Sequence, residues 1–324
     1  MSRVVVVGSA NVDMIVRVEH LPEPGQTLLG TDVALRTGGK GANQAVAACR
    51  LGAPTLLYAA IGTDAFGRQT REALAGEGVC LDHLIEVDGS STGMAMIMVA
   101  ADGENTIVVA PGANHALDAS ATGGLAGALA PGAVLAAQLE VPIDTCLAAA
   151  GVARRAGARV VLNAAPLPDP GQPDFAALLR VVDVLIVNET EALALAGRPA
   201  PDTPAGWIGL AGDLLRHGPA ACVITLGGQG AVAHDGTTGW AQPPFAADVV
   251  DTTGAGDAFC GALAASLAGG VSLADAVRRG CAAGALATGM LGAQAALPTL
   301  AQLERLLGED RVSGPAVHGA GVAS

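Results

Sequence analysis

The chain has 324 residues, a length typical of one large domain or two ordinary ones. Its formal net charge of −13 repels nucleic acid and anionic membrane surfaces, so neither is expected as a partner. Hydrophobic residues make up 51% of the chain and aromatic residues 2%, which predicts a large core of aliphatic side chains. The six cysteines form no C-x-x-C pair and are expected to be buried thiols in a reducing cytoplasm.

Short apolar runs alternate with helical patterns along most of the chain. The runs predict strands buried on both faces, at residues 4–7, 55–61, 134–139, 159–162, 184–187 and 221–226. The helical patterns cover residues 42–51, 66–77, 143–157, 189–196 and 258–268. This alternation predicts an α/β fold with a doubly wound, mainly parallel sheet and helices on both faces. Such sheets bind ligands at the carboxyl ends of their strands, so polar motifs at those positions are the first candidates for function.

Two segments break the alternation. Apolar residues occupy every second position at the start of residues 12–36 and again within residues 92–110, and each segment contains a turn. They predict a small β-sheet lid over the edge of the main sheet, although the same strands could instead extend that sheet. Residues 1–309 are therefore expected to form a single domain, followed by a disordered tail at residues 310–324.

The most specific motif runs from Thr252 to Phe259. It follows an apolar, strand-like stretch at residues 246–250, and its Gly254, Ala255 and Gly256 precede a helix whose first N–H groups can bind an anion. Asp257 would lie beside that anion site, where a carboxylate binds phosphate poorly but can accept a proton from an attacking hydroxyl. A glycine-rich helix cap is the alternative, whereas a Rossmann motif is excluded because Phe259 replaces its third glycine.

A second motif, residues 38–45, combines a glycine turn with polar residues at a helix start. Lys40 and Asn43 suit hydrogen bonding to sugar hydroxyls, and the absence of Gly-Lys-Ser/Thr excludes a Walker A loop. Of the 17 lysine and arginine residues, Lys40 is the one lysine, which supports a functional role. Asn11 and Asp13, after the first strand, are placed for ligand hydroxyls or form an ordinary Asx turn.

Two further motifs follow later strands. Asn188-Glu189-Thr190-Glu191 could hold magnesium, directly or through water, or cap a helix. Thr225-Leu226-Gly227-Gly228-Gln229-Gly230 could carry nucleotide phosphates or form a hairpin turn into residues 231–233. The sequence alone does not choose between the two interpretations of either motif.

Together, this ordered set of motifs resembles the ribokinase family, within the phosphofructokinase-B superfamily of carbohydrate kinases. The resemblance extends from residue 4 to about residue 307, and residues 38–45 carry its most specific part. It implies a cytoplasmic enzyme that transfers phosphate from ATP to the 5-hydroxyl of D-ribose, giving D-ribose 5-phosphate and ADP. It also implies a β-lid through which two subunits form a homodimer.

The resemblance assigns the site residue by residue. Asp257 would be the general base, and the N–H groups of Gly254, Ala255 and Gly256 would stabilise the transferring phosphoryl group. The sugar would be held by Asn11, Asp13, Gly39, Lys40, Gly41, Asn43 and Glu140, together with Asp257. ATP would contact Asn188, Thr225, Gly227, Gly228, Gly230, Gly256 and Cys281.

Two cations are implied in the same way. Mg²⁺ would accompany ATP and be placed by Glu191, and K⁺ would activate the enzyme from a shell formed by Asp251, Thr253, Ala287, Met290 and Gly292. Ala296 stands where the family often has a serine hydroxyl in that shell, and Cys281 where a His or Asn often lines the adenine pocket. A kinase for deoxyribose, fructose or adenosine, or a sugar-binding sensor without turnover, are the alternative functions.

Overall fold

The first strand, β1 (Val4–Val7), contributes to two separate hydrophobic cores. The structure is a computed structural model that describes residues 2–313. In it, Val4 and Val6 pack into one core and Val5 and Val7 into the other, and all four are fully buried. Four consecutive buried valines therefore place this strand inside a sheet that helices cover on both faces, as the sequence predicts.

The remaining strands belong to two sheets. They are β2 (Asn11–Arg17), β3 (Val33–Gly38), β4 (Thr55–Gly62), β5 (Cys80–Val87), β6 (Gly93–Val99), β7 (Asn105–Ala110), β8 (Val134–Ala137), β9 (Arg159–Asn163), β10 (Val184–Asn188), β11 (Ala221–Thr225), β12 (Ala231–His234) and β13 (Gly239–Gln242). Within residues 2–313 the main sheet has nine strands in the order β13-β12-β11-β10-β9-β8-β1-β4-β5. All of its neighbours are parallel from β11 to β5, and β12 and β13 pair antiparallel at one edge.

The second sheet confirms the predicted lid. Its order is β3-β2-β6-β7, with β2 and β6 parallel at its centre and an antiparallel strand on each side. Every residue of β7 is exposed. The two segments that break the strand–helix alternation therefore pair with each other rather than with the main sheet.

Helices cover both faces of the main sheet. In chain order they are α1 (Lys40–Arg50), α2 (Ala65–Gly76), α3 (Ile143–Arg155), α4 (Pro173–Leu179), α5 (Glu189–Ala196), α6 (Pro204–Leu214), α7 (Ala255–Ala268), α8 (Leu273–Ala287) and α9 (Leu300–Ser313). Short 3₁₀ segments lie at Gly112–Ala116, Ala119–Gly127, Leu215–His217 and Gly227–Gln229. The core with Val4 and Val6 contains α1, α7 and α8, and the core with Val5 and Val7 contains α3, α4 and α6.

Two expectations about element boundaries are wrong. Residues 246–250 are irregular rather than a strand, and Val249 and Val250 are 65% and 58% exposed. Pro243 and Pro244 follow the edge strand β13 and lack the N–H groups that would continue its pairing. The helix α9 extends to Ser313, so the predicted tail begins too early, and its remainder, residues 314–324, lies outside the described residues.

The parallel strands place several polar residues at one edge of the sheet. Strands β1, β8, β9, β10 and β11 all end there, and their last or following residues include Ser9, Glu140, Asn163, Asn188 and Thr225. None of the helices within residues 2–313 is both long and apolar enough to cross a membrane.

Candidate active site

Asp257 lies in the first turn of α7, three residues after the glycine that caps the helix. Gly254 is the N-cap residue with a φ of 81°, a left-handed conformation that favours glycine. Asp257 is only 7% exposed. Burial raises the pKa of its carboxyl group, whereas Lys40 and hydrogen bonds from Asn43 and Gln44 oppose that rise. A carboxylate whose pKa is raised is a stronger base than an exposed aspartate.

Helix α1 brings the one lysine of the chain to the same place. Its N-cap residue Gly39 has a φ of 89°, and a side chain there would collide with the backbone near Asn11. Burial disfavours the charged form of Lys40, but attraction to the carboxylates of Asp257, Glu140 and Glu191 is stronger and raises its pKa. Lys40 therefore remains an ammonium group surrounded by carboxylates.

Glu140 joins the end of β8 to the start of α1. Its Oε2 accepts a hydrogen bond from the Ser9 hydroxyl at 2.5 Å and one from the backbone N–H of Lys40 at 3.1 Å. The Ser9 hydroxyl also accepts from the N–H of Gly41 at 3.4 Å. A carboxylate at a helix N-terminus is stabilised by the partial positive charge there.

The lid contributes two polar side chains from β2. Asn11 is 3% exposed, and its Oδ1 accepts a hydrogen bond from Nδ2 of Asn114 at 2.7 Å. Burial, with the nearby charges of Glu140 and Asp257, raises the pKa of Asp13 to about 6. Gly38 of β3, which pairs with Asn11, leaves the space that the Asp13 carboxyl group occupies.

A cleft connects these groups with the later motifs. It is lined by Lys40, Asn163, Ala165, Ile186, Asn188, Glu191, Thr225, Gly254, Gly256, Asp257 and Cys260. Asn188 and Glu191 form a capping box at the start of α5, with hydrogen bonds of 2.8 and 2.9 Å. Burial raises the pKa of Glu191 although it accepts a backbone N–H. The capping interpretation is therefore correct, and Glu191 lies in the cleft as well.

Some of the residues expected to contact ATP line this cleft, and others lie outside it. The turn after β11 leads directly into the antiparallel β12, so it is a hairpin turn, and its Gly227 and Gly230 have φ values of 51° and 89°. Thr225 lines the cleft. Cys281, by contrast, lies in the middle of α8 and belongs to the hydrophobic core, and burial raises the pKa of its thiol to about 12.

The five residues expected around a monovalent cation come from the loop before α7 and from the end of α8 with the loop after it, and Asp251 contacts Gly292 between them. Oδ1 of Asp251 accepts from the N–H and the hydroxyl of Thr253, and its Oδ2 accepts from the N–H of Gly292 at 2.8 Å. Ala287 ends α8, and Met290 is exposed on the loop after it. Ala296 is buried on that same loop. The structure thus brings the two halves of the expected shell together.

One detail of the anion site differs from the simplest expectation. The N–H of Ala255 donates to the carbonyl of Thr252 at 3.2 Å, so it is engaged in a turn. Gly254 and Gly256 both line the cleft, and a side chain added at Gly256 would meet open space.

Several polar residues in or next to the site were not singled out from the sequence. They are Ser9, Gln44, Asn114, Gln138 and Asn163, and all except Asn163 are buried. Buried polar groups need hydrogen-bond partners, so polar residues at the ends of apolar strands, such as Gln138 and Asn163, are a signal that could have identified them.

The assembled site has the parts that phosphoryl transfer requires. A buried carboxylate, a helix N-terminus and a lysine ammonium group surround one cleft at the carboxyl edge of a parallel sheet, and the charge of Asp13 in the lid interacts with that of Asp257. Fold and site together define a kinase of small molecules.

Comparison with known proteins gives the family. The pfkB family of carbohydrate kinases matches residues 1–300, and the chain belongs to this family. It is 37% identical over 294 residues to a ribokinase of Haemophilus influenzae, covering 91% of this chain and 94% of that protein. It is 35% identical over 300 residues to mouse ribokinase, covering 91% of each chain. Arabidopsis thaliana ribokinase in complex with ribose and ATP superposes with a TM-score of 0.86 at 33% identity, over 95% of this chain and 99% of that one.

Proposed function

We propose that this protein phosphorylates D-ribose at its 5-hydroxyl group with ATP, giving D-ribose 5-phosphate and ADP. The observation that carries the proposal is Asp257, a buried carboxylate in the first turn of α7 that lines the cleft together with Lys40. The similarity to a ribokinase that binds ribose and ATP supports the choice of substrates.

Asp257 is the proposed general base. Its carboxylate accepts the proton of the 5-hydroxyl as the sugar oxygen attacks the γ-phosphorus of ATP and the bond to the β-phosphate oxygen breaks. The N–H groups of Gly254 and Gly256, at the start of α7, stabilise the negative charge of the transferring group, and that of Ala255 joins them if it leaves its hydrogen bond to the carbonyl of Thr252. Small residues there let the phosphate approach the backbone closely.

The sugar subsite is proposed to lie between the lid and α1. Asn11, Asp13, Lys40, Asn43 and Glu140 supply donors and acceptors for hydroxyl groups, and Gly39 and Gly41 allow a close approach of the backbone. Oδ1 of Asn43 is buried and lacks a hydrogen-bond partner within the described part of the chain. A sugar hydroxyl that donates to this oxygen would satisfy it.

ATP is proposed to extend from α7 toward the edge strands. Asn188, Thr225 and the turn with Gly227, Gly228 and Gly230 lie along this direction in the sheet order, and Cys281 is proposed to border the adenine. Since Cys281 belongs to the core, its contribution would be an apolar wall rather than a polar contact.

Magnesium is proposed to enter with ATP. No group of three or more His, Cys, Asp or Glu residues suited to a metal occurs within the described residues. Mg²⁺ bound by substrate phosphates needs only one or two protein carboxylates, and Glu191 lines the cleft. When bound, the ion neutralises phosphate charge.

Potassium is proposed as an activating cation beside the anion site. Both carboxylate oxygens of Asp251 are engaged by N–H and hydroxyl donors, so the ligands would be backbone carbonyls of Asp251, Thr253, Ala287, Met290 and Gly292. Such carbonyls are suitable oxygen ligands for a weakly hydrated cation. Ala296 supplies no side-chain oxygen to this shell.

The protein is further proposed to be a cytoplasmic homodimer. The edge strand β7 exposes apolar side chains on both of its faces. Ile107 and Val109 are 53% and 47% exposed on one face, and Val108 (53%) lies beside its partner Met96 of β6 (43%) on the other. An apolar surface of this kind on a small sheet is suited to burial against a second copy.

The test is ADP release by the purified protein with magnesium-ATP and ribose, deoxyribose, fructose or adenosine, each with and without K⁺. Fastest turnover of ribose is expected, with an increase on adding K⁺. Faster turnover of another acceptor would retain the kinase but reject ribose. Binding of ribose without any turnover would reject the catalytic role in favour of a sensor.

A further inference from the structure

Two amide side chains hold the carboxylate of Asp257, one on each oxygen. Nδ2 of Asn43 donates to Oδ2 at 2.9 Å, and Nε2 of Gln44 donates to Oδ1 at 3.1 Å. Asn43 also has a place in the proposed sugar subsite. Gln44 is 1% exposed and has no assigned role.

The hydrogen-bonding groups of the Gln44 amide are all engaged. Its Nε2 also donates to Oδ1 of Asn163 at 3.2 Å, and its Oε1 accepts from Nε2 of Gln138 at 2.6 Å. Nδ2 of Asn163 donates to the carbonyl of Ile186 at 3.4 Å, which turns the oxygen of Asn163 toward Gln44. Reversal of the Gln44 amide would place its oxygen against the Asp257 carboxylate and lose all three bonds.

Close packing also surrounds the Gln138 side chain and the backbone of Gln44. A side chain at Gly8 would overlap Oε1 of Gln138, and one at Gly261 would collide with Ala47 and the backbone oxygen of Gln44. The Gln138 amide therefore packs against the residue after β1, and the backbone of α1 at Gln44 packs against α7. Gln138 therefore has no room to move toward Gly8, and α1 is held close to α7 at Gln44.

We propose that Gln44, held by Gln138 and Asn163, is a positioning residue that orients the carboxylate of Asp257 and stabilises its ionised form. The inference rests on the proposed function, in which Asp257 is the base. Because each carboxylate oxygen receives one amide N–H, each retains a lone pair that can accept the proton of a hydroxyl in the cleft.

A neutral amide suits this role better than a second charge. Burial of Asp257 disfavours its ionised form, and N–H donors to the carboxylate counteract that effect. The charged or titratable groups that interact with Asp257 are Lys40 from α1, Glu140 after β8, Asp13 from the lid and Cys260 from α7. A further positive charge would make the carboxylate a weaker base, whereas an amide orients it with less effect on basicity.

The test compares Gln44→Met and Gln138→Met with the control Ser266→Ala. Ser266 is buried on the same helix as Asp257, and its hydroxyl donates to the carbonyl of Ala262. Methionine keeps the length of glutamine but removes its amide. Gln44→Met should lower kcat about tenfold to a hundredfold, with KM for the sugar changed less than about threefold, since Gln44 has no place in the sugar subsite. Gln138→Met should lower kcat less, and the control should match the wild type.

A second measurement does not depend on turnover. Titration of aspartate labelled with ¹³C at the carboxyl carbon, with Asp257→Asn for assignment, gives the pKa of Asp257 by NMR. Gln44→Met should raise that pKa relative to the wild type and to Ser266→Ala. An unchanged pKa in Gln44→Met would overturn the inference. An unchanged kcat in Gln44→Met would also overturn it, provided that the wild type turns over sugar.

If the wild type turns over none of the sugars, the proposed function fails, and the titration still decides the role of Gln44. If Gln44→Met does not fold, Gln138→Met carries both measurements.

Discussion

The hydroxyl of Ser9 donates to Oε2 of Glu140 at 2.5 Å, and the same oxygen accepts the backbone N–H of Lys40. One carboxylate thus connects the ends of β1 and β8 with the first turn of α1. We expect Glu140→Gln to weaken ribose binding about tenfold, because the neutral amide loses its attraction to Lys40 and to the helix N-terminus. Isothermal titration calorimetry measures the affinity.

Ser9→Ala should weaken ribose binding less, since it leaves the charge of Glu140 but frees its side chain to move. Glu72→Gln on the exposed face of α2 is the matched control and should bind ribose as the wild type does. Wild-type affinity in Glu140→Gln would remove Glu140 from the sugar subsite.

Replacement of the proposed base separates chemistry from binding. Asp257→Asn is nearly the same size but cannot accept the hydroxyl proton, so kcat should fall at least ~10²-fold. Ribose affinity should change much less, because the amide retains hydrogen-bonding groups in the same place. Rapid-quench kinetics together with calorimetry test this, and an Asn variant with near wild-type kcat would refute the assignment of the base.

The one lysine of the chain should act mainly on substrate binding. Lys40→Met removes the ammonium group that three carboxylates surround, and we expect weaker ribose binding with the fold retained. Circular dichroism and thermal unfolding monitor the fold. Arg68→Met, an exposed change on α2, controls for the loss of one positive charge from a protein of net charge −13. Unchanged sugar affinity in Lys40→Met would contradict the role given to this residue.

Ribose binding should depend on pH through Asp13, whose pKa is raised to about 6 by burial and by the charges of Glu140 and Asp257. Its ionised carboxylate accepts hydrogen bonds from hydroxyl groups, so affinity should rise as the pH increases from about 5 to 7 and then level off. Calorimetric affinities across this range test the expectation. Asp13→Asn should bind more weakly and lose this rise, and a rise of unchanged size in that variant would assign it to another group.

Thermal stability gives a second test of the raised pKa of Asp13. A carboxyl group whose pKa is higher in the folded than in the unfolded state stabilises the fold at low pH. This contribution to the free energy of unfolding is lost as the pH rises through the pKa of the folded state. Replacement by asparagine removes the buried charge. Asp13→Asn should therefore raise Tm more at pH 8 than at pH 5, relative to the wild type. Equal changes at both pH values would show that the carboxylate is not destabilising.

The lid surface should control assembly. Ile107→Asp places a charge in the exposed apolar surface of β7, where burial against a second copy would be costly. Light scattering should report a dimer for the wild type and a monomer for the variant. Leu300→Asp changes another exposed apolar residue outside the lid and should remain dimeric. A wild-type monomer, or a dimeric Ile107→Asp, would exclude this interface.

Much of the fold could be predicted because burial leaves a local pattern. A strand or helix can be identified from its own residues, without knowledge of its neighbours. Examples are the four valines of β1, the alternating apolar residues of the lid and the helical patterns between the strands. Residues 246–250 show where this approach fails. An apolar run forms a strand only if another strand is available to pair with it, and the sheet ends at β13.

The sequence by itself determined that Asp257 follows a glycine turn at the start of a helix and that Lys40 and Asn43 begin another, because capping and glycine conformations are local. The tertiary structure decided which groups surround Asp257. Gln44, Gln138 and Asn163 meet there only because β8 and β9 are neighbours in the sheet and α1 packs against α7. Hydrogen-bond partners far apart in the chain depend on the order of strands and the packing of helices, and a local pattern contains neither.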